Sequence, residues 1–149
     1  MQYRIIQIKT FSQGTFADGE LSFFEGNRDI PFEIKRVYYI QGVSRGMKRG
    51  MHAHKALQQL IFCPYGVVKI VLDDGYKKEE VLLDDPSKGL VLEPGLWRDM
   101  YWEKDNSVLC VAASDYYYPD DYIRDYDEFL TYVNKKGEKY DECGVYNPE

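Results

Sequence analysis

Only two histidines occur in the 149-residue chain, and both lie in Arg49-Gly50-Met51-His52-Ala53-His54-Lys55. Side chains alternate along an extended strand, so His52 and His54 share a face and Ala53 points away. Two neighbouring imidazoles can ligate a metal, move protons near neutral pH, or sit buried and hydrogen-bonded. Arg49 stands just before them. Its planar guanidinium suits a diphosphate, which it can grip with two hydrogen bonds, or equally a surface carboxylate. Arg45 and Lys48 share the Gly42–Gly50 stretch as weaker candidates. That stretch lacks the Gly-Lys-Ser/Thr ending of a nucleotide-hydrolase phosphate loop. Tyr39, in the run IKRVYYI, can donate a hydrogen bond or relay a proton, or pack as strand tyrosines do.

The elements that must hold these residues are short and β-rich. IIQI, LSFF, IKRVYYI, QQLIFC and GVVKIVLDD are followed by EEVLLDD, GLVLEPG, WRDMYW and NSVLCVAAS, ending near Ser114. Turn residues such as Asp73-Asp74-Gly75 punctuate them at intervals of roughly 8–12 residues, with no helical period between. The pattern predicts an all-β fold, an antiparallel sandwich or small barrel, and not βαβ units. After Pro119, Tyr122, Ile123, Tyr126, Phe129, Leu130 and Val133 recur at spacings of three and four. That spacing predicts one amphipathic C-terminal helix over Asp120–Val133. Residues 134–149 carry little apolar content and are expected to form a loose tail. The chain therefore reads as one domain, residues 1–133, followed by that tail.

Composition narrows the partners. Asp and Glu outnumber Lys and Arg, 25 to 19, for a net charge of −6. Neither nucleic acid nor an anionic membrane gains generic attraction from such a surface, so an anionic ligand must be gripped by a few local cations. Cys63 and Cys110 sit in apolar runs, and the odd total of three with Cys143 has no disulfide-framework spacing. They read as small hydrophobes in a reducing compartment. The N-terminus has no signal-peptide pattern and no apolar run nears the ~20 residues of a membrane span, so a cytoplasmic location is expected.

From Gly46 to Gly66 the chain reads G-x5-H-x-H-x4-Q-x6-G. This resembles the first motif of the cupin superfamily, with Gln59 where metal-binding members carry glutamate. Those members take a third histidine from a later strand. Here the later segment is Pro94-Gly95-Leu96-Trp97-Arg98, with Arg98 at that place. Two imidazoles, a weak amide and a cation make a poor divalent-metal donor set, so no metal is expected. The ordered set Ile30–Ile40, Arg49–Lys55, Leu72–Gly75, Ala113–Tyr117 and Asp121–Arg124 is similar, more narrowly, to the dTDP-sugar 3,4-ketoisomerases.

That resemblance implies a metal-free cupin-type antiparallel β-barrel, or jelly roll, acting on dTDP-4-keto-6-deoxyglucose without a cofactor. It implies a homodimer that exchanges N-terminal strands. The product would feed an aminotransferase that makes a 3-amino-3,6-dideoxy sugar of the kind found in lipopolysaccharide or S-layer glycans. Moving the carbonyl from C4 to C3 needs a base for the C3 hydrogen, a donor for the developing oxyanion and a proton returned to C4. His52 and His54 would supply the titrating groups, with His54 favoured for the C3 and C4 steps and His52 orienting or relaying. Tyr39 would be the donor. Arg49, Arg98, Gln59, Arg45 and Asp18 would bind substrate. Asp18 stands where many members have arginine, and Arg98 where many have histidine. Both departures bear on the C4 configuration of the product, for which gluco is favoured. The competing expectations are a dTDP-sugar 3,5-epimerase, a metal-dependent cupin and a non-catalytic sugar-nucleotide-binding module.

Overall fold

Alternating burial along the strands resolves into two facing antiparallel sheets. In the computed structural model, which describes residues 1–12 and 14–142, the strands are β1 (Tyr3–Gln7), β2 (Lys9–Ser12), β3 (Glu20–Phe23), β4 (Arg36–Ile40), β5 (Lys48–His54) and β6 (Gln59–Tyr65). They continue with β7 (Val68–Asp73), β8 (Lys78–Leu83), β9 (Lys88–Leu92), β10 (Trp97–Trp102), β11 (Val108–Ala113) and the short β12 (Tyr122–Ile123), before helix α1 (Tyr126–Glu142). One sheet has the order β1-β9-β6-β11-β4 and the other β12-β5-β10-β7-β8, with β2 and β3 forming a separate hairpin. The all-β class with one C-terminal helix is the expected one. The sheets face each other as a jelly-roll sandwich and do not close into a barrel: β1, β4, β8 and β12 remain edges.

The main core lies between the sheets, built from Ile61, Ile70, Leu72, Leu83, Leu90, Trp102, Leu109 and Val111 among others. Residues that alternate with these face outward. A second apolar cluster (Ile30, Phe32, Leu60, Val91, Ala112) shows how the segment before β4 covers part of one outer face. Cys63 is fully buried among aliphatic side chains, and burial raises its thiol pKa to about 11. It is a packing residue.

The C-terminal part departs from the expected helix over Asp120–Val133. Pro119–Asp121 form a 3-10 turn, with the Tyr122 N–H donating to the Pro119 carbonyl. Tyr122 and Ile123 then pair with His54 and Ala53 of β5. The helix begins only at Tyr126, where the Asp125 carboxylate accepts from the Glu128 N–H at 2.9 Å, an N-cap that stops the helix from starting sooner. It runs on through residues expected to be tail, to Glu142. Residues 143–149, the rest of that expected tail, lie outside the described residues. Phe129 of α1 is buried against Ala53, Trp97 and Ile123, which seats the helix over the back of β5.

Candidate active site

A bulge in β5 sets the geometry of the site. Pairing with β10 runs Arg98↔His52, then Asp99↔Gly50 and Met100↔Arg49, so Met51 is the extra residue. Gly50 (φ +86°) and Met51 (φ +55°) both adopt the left-handed conformation. A Cβ on Gly50 would lie 2.9 Å from the Arg98 carbonyl oxygen, so the strands meet this closely only because glycine stands there. The bulge reverses the alternation. Arg49 and His52, three residues apart, thereby face the same interior side as their partners Met100 and Arg98.

An open cleft of about 280 Å³ lies there, lined by Arg36, Tyr38, Ile40, Arg49, Gly50, His52, Met100, Tyr122 and Arg124. His52 is at its wall, 8% exposed, whereas His54 is fully buried behind it. The two rings meet edge to face at 4.9 Å, and Tyr122 lies 4.4 Å from His54 and 5.2 Å from His52. Asp121 fixes His54: one carboxylate oxygen accepts from Nδ1 at 2.9 Å and the other from the Ala56 N–H at 2.7 Å. A ring that donates through Nδ1 carries its lone pair on Nε2, which is buried and has no hydrogen-bond partner among the described residues.

Both imidazoles are held neutral. Burial first, then the Arg98 charge, lowers the His52 pKa to about 4. Burial and Arg98, in that order, also lower that of His54, and His52, Arg36 and Arg124 add to the effect. A neutral imidazole is the form that accepts a proton. Guanidiniums dominate the cleft's charge despite the acidic chain. Arg36 lies over the rings of Tyr38 and Tyr117 at 5.4 and 5.6 Å, and Arg124 over Tyr122 at 4.3 Å. With Arg49 they offer three cations to an anionic ligand.

Two expected substrate-binding residues lie beneath the cleft and not on its wall. Arg98 is 2% and Gln59 1% exposed. A guanidinium nitrogen of Arg98 donates to the Gln59 carbonyl oxygen, and another donates to the Leu96 carbonyl at 3.0 Å. The Gln59 amide then donates to the Tyr38 hydroxyl at 3.1 Å.

Three expected site residues do not line the cleft. Tyr39 points away from the site: it pairs with Cys110 on the outer face and is 63% exposed, while Tyr38, opposite the buried Val111, faces the cleft. A period of two allows one of two adjacent tyrosines inside, and the sequence does not say which. Arg45 is exposed in its loop, its backbone N–H donating to Asp105, and does not line the cleft. Asp18 closes its own turn before β3, accepting from the Thr15 N–H and hydroxyl, also away from the cleft. Arg36, Tyr122, Arg124 and Asp121 were not singled out from sequence. Parity with Tyr38 would have found Arg36. The other three reach the site only through the β12–β5 pairing. Among the described residues no three His, Cys, Asp or Glu side chains group as metal ligands.

Comparison with known proteins agrees with this architecture. The family described as "FdtA: WxcM-like, C-terminal" matches residues 1–134. A TDP-4-oxo-6-deoxy-alpha-D-glucose-3,4-oxoisomerase of Aneurinibacillus thermoaerophilus is 42% identical, over 91% of this chain and 95% of the relative. Among solved structures, the sugar 3,4-ketoisomerase QdtA of Thermoanaerobacterium thermosaccharolyticum, in complex with TDP, superposes with a TM-score of 0.85 at 41% identity, covering 90% of this chain and 96% of that one. The TDP-quinovose 3,4-ketoisomerase WlaRB of Campylobacter jejuni gives 0.80 at 39% identity, covering 87% and 97%. WlaRA of the same organism, a TDP-fucose-3,4-ketoisomerase, gives 0.82 at 30% identity, covering 91% and 98%. The interleaved histidines, the Arg-lined cleft and these matches agree: the chain belongs to the FdtA family of sugar 3,4-ketoisomerases.

Proposed function

We propose that the chain converts dTDP-4-keto-6-deoxyglucose into dTDP-3-keto-6-deoxyglucose. The observation that carries this is a neutral imidazole, His52, on the wall of a cationic cleft that Tyr38 of the opposite sheet also lines. The diphosphate is held by Arg36, Arg49 and Arg124, the cations lining that cleft. His52 takes the C3 hydrogen, which is acidic because it neighbours the C4 ketone. Tyr38 donates its hydroxyl proton to the C4 oxygen as negative charge develops there, and receives the C3 hydroxyl proton as the new ketone forms. Water on the opposite face of the planar enediol delivers a proton to C4, and His52 releases the C3 proton to solvent. His54, braced by Asp121, orients His52, so the ring on the cleft wall takes the role that the sequence favoured for its neighbour.

In the gluco configuration the C3 and C4 hydrogens lie on opposite faces of the ring, so the C4 proton must arrive on the face away from His52. Greater identity to the TDP-quinovose 3,4-ketoisomerase, 39% against 30% for the TDP-fucose-3,4-ketoisomerase, supports the gluco product. A 3-keto sugar of that kind is a substrate for an aminotransferase making a 3-amino-3,6-dideoxy sugar. No cofactor enters these steps, and two imidazoles beside a buried guanidinium are a poor divalent-cation site.

The test is NMR of dTDP-4-keto-6-deoxyglucose incubated with the protein in deuterated water, with an aminotransferase trapping the 3-keto product. The expected result is a single gluco product labelled at C4, formed at the same rate after exhaustive chelation. Deuterium at C5 with the ketone unmoved identifies a 3,5-epimerase, and TDP binding without conversion identifies a binding module. Turnover lost on chelation and restored by metal identifies a metal enzyme, and a galacto product overturns the configuration.

A further inference from the structure

The three-residue chain beneath the cleft has a direction, and that direction reaches the reacting atoms. Arginine has only donors, so the Gln59 atom facing Arg98 must be the carbonyl oxygen. The other end of the amide is then an NH2 group, which can only donate, and it meets the Tyr38 hydroxyl at 3.1 Å. The Tyr38 oxygen therefore accepts from Gln59, and its own proton must point elsewhere. The Tyr38 side chain lines the cleft, so that proton is directed toward a bound ligand. All of this is fixed before substrate arrives, because Arg98 and Gln59 are both almost completely buried and Arg98 is pinned again by the Leu96 carbonyl.

We infer that Gln59, locked by Arg98, is a positioning residue that holds the Tyr38 hydroxyl as a hydrogen-bond donor to the substrate. This rests on the ketoisomerase reading above and assigns work to two buried groups that never touch the sugar. A donor already aimed at a developing oxyanion spends no reorganisation energy at the moment of reaction. The Gln59 N–H also steadies the phenolic oxygen once its proton has moved to substrate, and the fixed charge of Arg98 lies behind it.

Polarity separates this role from simple packing. Gln59→Glu keeps the shape and gives Arg98 a carboxylate partner, but it turns the second contact around: Tyr38 now donates to Glu and its proton leaves the cleft. Gln59→Met removes both hydrogen bonds and leaves the hydroxyl free to rotate, while stranding the Arg98 guanidinium. The rates and the stabilities should therefore fall in opposite orders.

The experiment measures kcat and KM for dTDP-4-keto-6-deoxyglucose and the melting temperature of Gln59→Glu, Gln59→Met, Tyr38→Phe and the two double variants. Tyr38→Phe should lower kcat about 10²–10³-fold, as loss of an oxyanion donor does. Gln59→Glu should lose most of that factor with KM within about threefold of wild type, the signature of an interaction made in the transition state. Gln59→Met should turn over faster than Gln59→Glu yet melt at a lower temperature. In the Tyr38→Phe background both Gln59 effects on kcat should vanish. Wild-type kcat in Gln59→Glu overturns the inference. So does a rate order that follows the melting order, or a Gln59 effect that persists without the Tyr38 hydroxyl. If Gln59→Glu does not fold, the Gln59→Met effect decides alone by vanishing or persisting in Tyr38→Phe. An inactive wild type sinks the ketoisomerase reading and the relay with it, whereas an active wild type with an unimpaired Gln59→Glu sinks the relay alone.

Discussion

Burial and a nearby guanidinium hold both histidines below the ordinary imidazole range. With the His52 pKa lowered to about 4, the free enzyme should hold its base deprotonated throughout the neutral range. The acid limb of kcat/KM should fall well below pH 6.5, and a limb at 6.5 in a pH–rate profile would contradict the assignment. The same depression has a cost in stability. The unfolded chain takes up protons near pH 6.5 that the fold refuses, so stability is full above that value and drains as the pH falls toward 4. Thermal melts from pH 8 to 4.5 should show this decline, and His52→Asn should flatten it; an unchanged slope in the variant counts against buried neutral imidazole as the cause. His52→Asn should cost about 10²–10⁴ in kcat, the range for a positioned acid/base. His54→Asn, one step removed from substrate, should cost less. Equal wild-type rates in both variants would remove histidine from the mechanism.

At the level of the elements, the bulge in β5 and the short strand β12 do the positioning. Gly50→Ala places a Cβ against the Arg98 carbonyl at a positive φ, a conformation costing about 1–3 kcal/mol where another residue is forced into it. The variant should be destabilised on that scale in a urea titration. It should also lose activity beyond its loss of fold, because relaxing the bulge turns Arg49 and His52 to opposite sides. A folded Gly50→Ala protein with normal kcat and KM would show that the bulge is dispensable. Asp125 is the corresponding device for α1: its cap sets where the helix starts, and so leaves Asp121 and Tyr122 free to pack against β5.

For the whole molecule, the unanswered surface is the outer face around β4 and the β2–β3 hairpin. Val37 and Tyr39 are more than half exposed, as are Phe11 and Leu21 on the hairpin. If copies exchange N-terminal strands, as the resemblance implies, the β1–β9 pairing seen within the chain is made between them with the same residues. Light scattering should give twice the mass of the 17.5 kDa chain, and Val37→Asp combined with Tyr39→Asp should lower it. A monomeric wild type rules out the exchange. Among the described residues no helix is long and apolar enough to cross a membrane.

Sequence by itself determined the strand-rich class, the shared face of His52 and His54, and the poverty of metal donors, because each is local. Alternation and ligand type need no third dimension. The N-cap was also written locally, in Asp125-Tyr126-Asp127-Glu128, although the apolar spacing from Tyr122 onward overrode it in the expected helix. Tertiary structure alone decided which tyrosine serves the cleft, since Tyr38 and Tyr39 differ only in parity and β4 takes its parity from pairing with β11. It decided which histidine lines the cleft, because the pairing of β12 with the end of β5 covers His54 and not His52. It also decided that Arg98 and Gln59 are buried supports: their contact joins residues 39 positions apart across the two sheets, a distance over which no local pattern carries information.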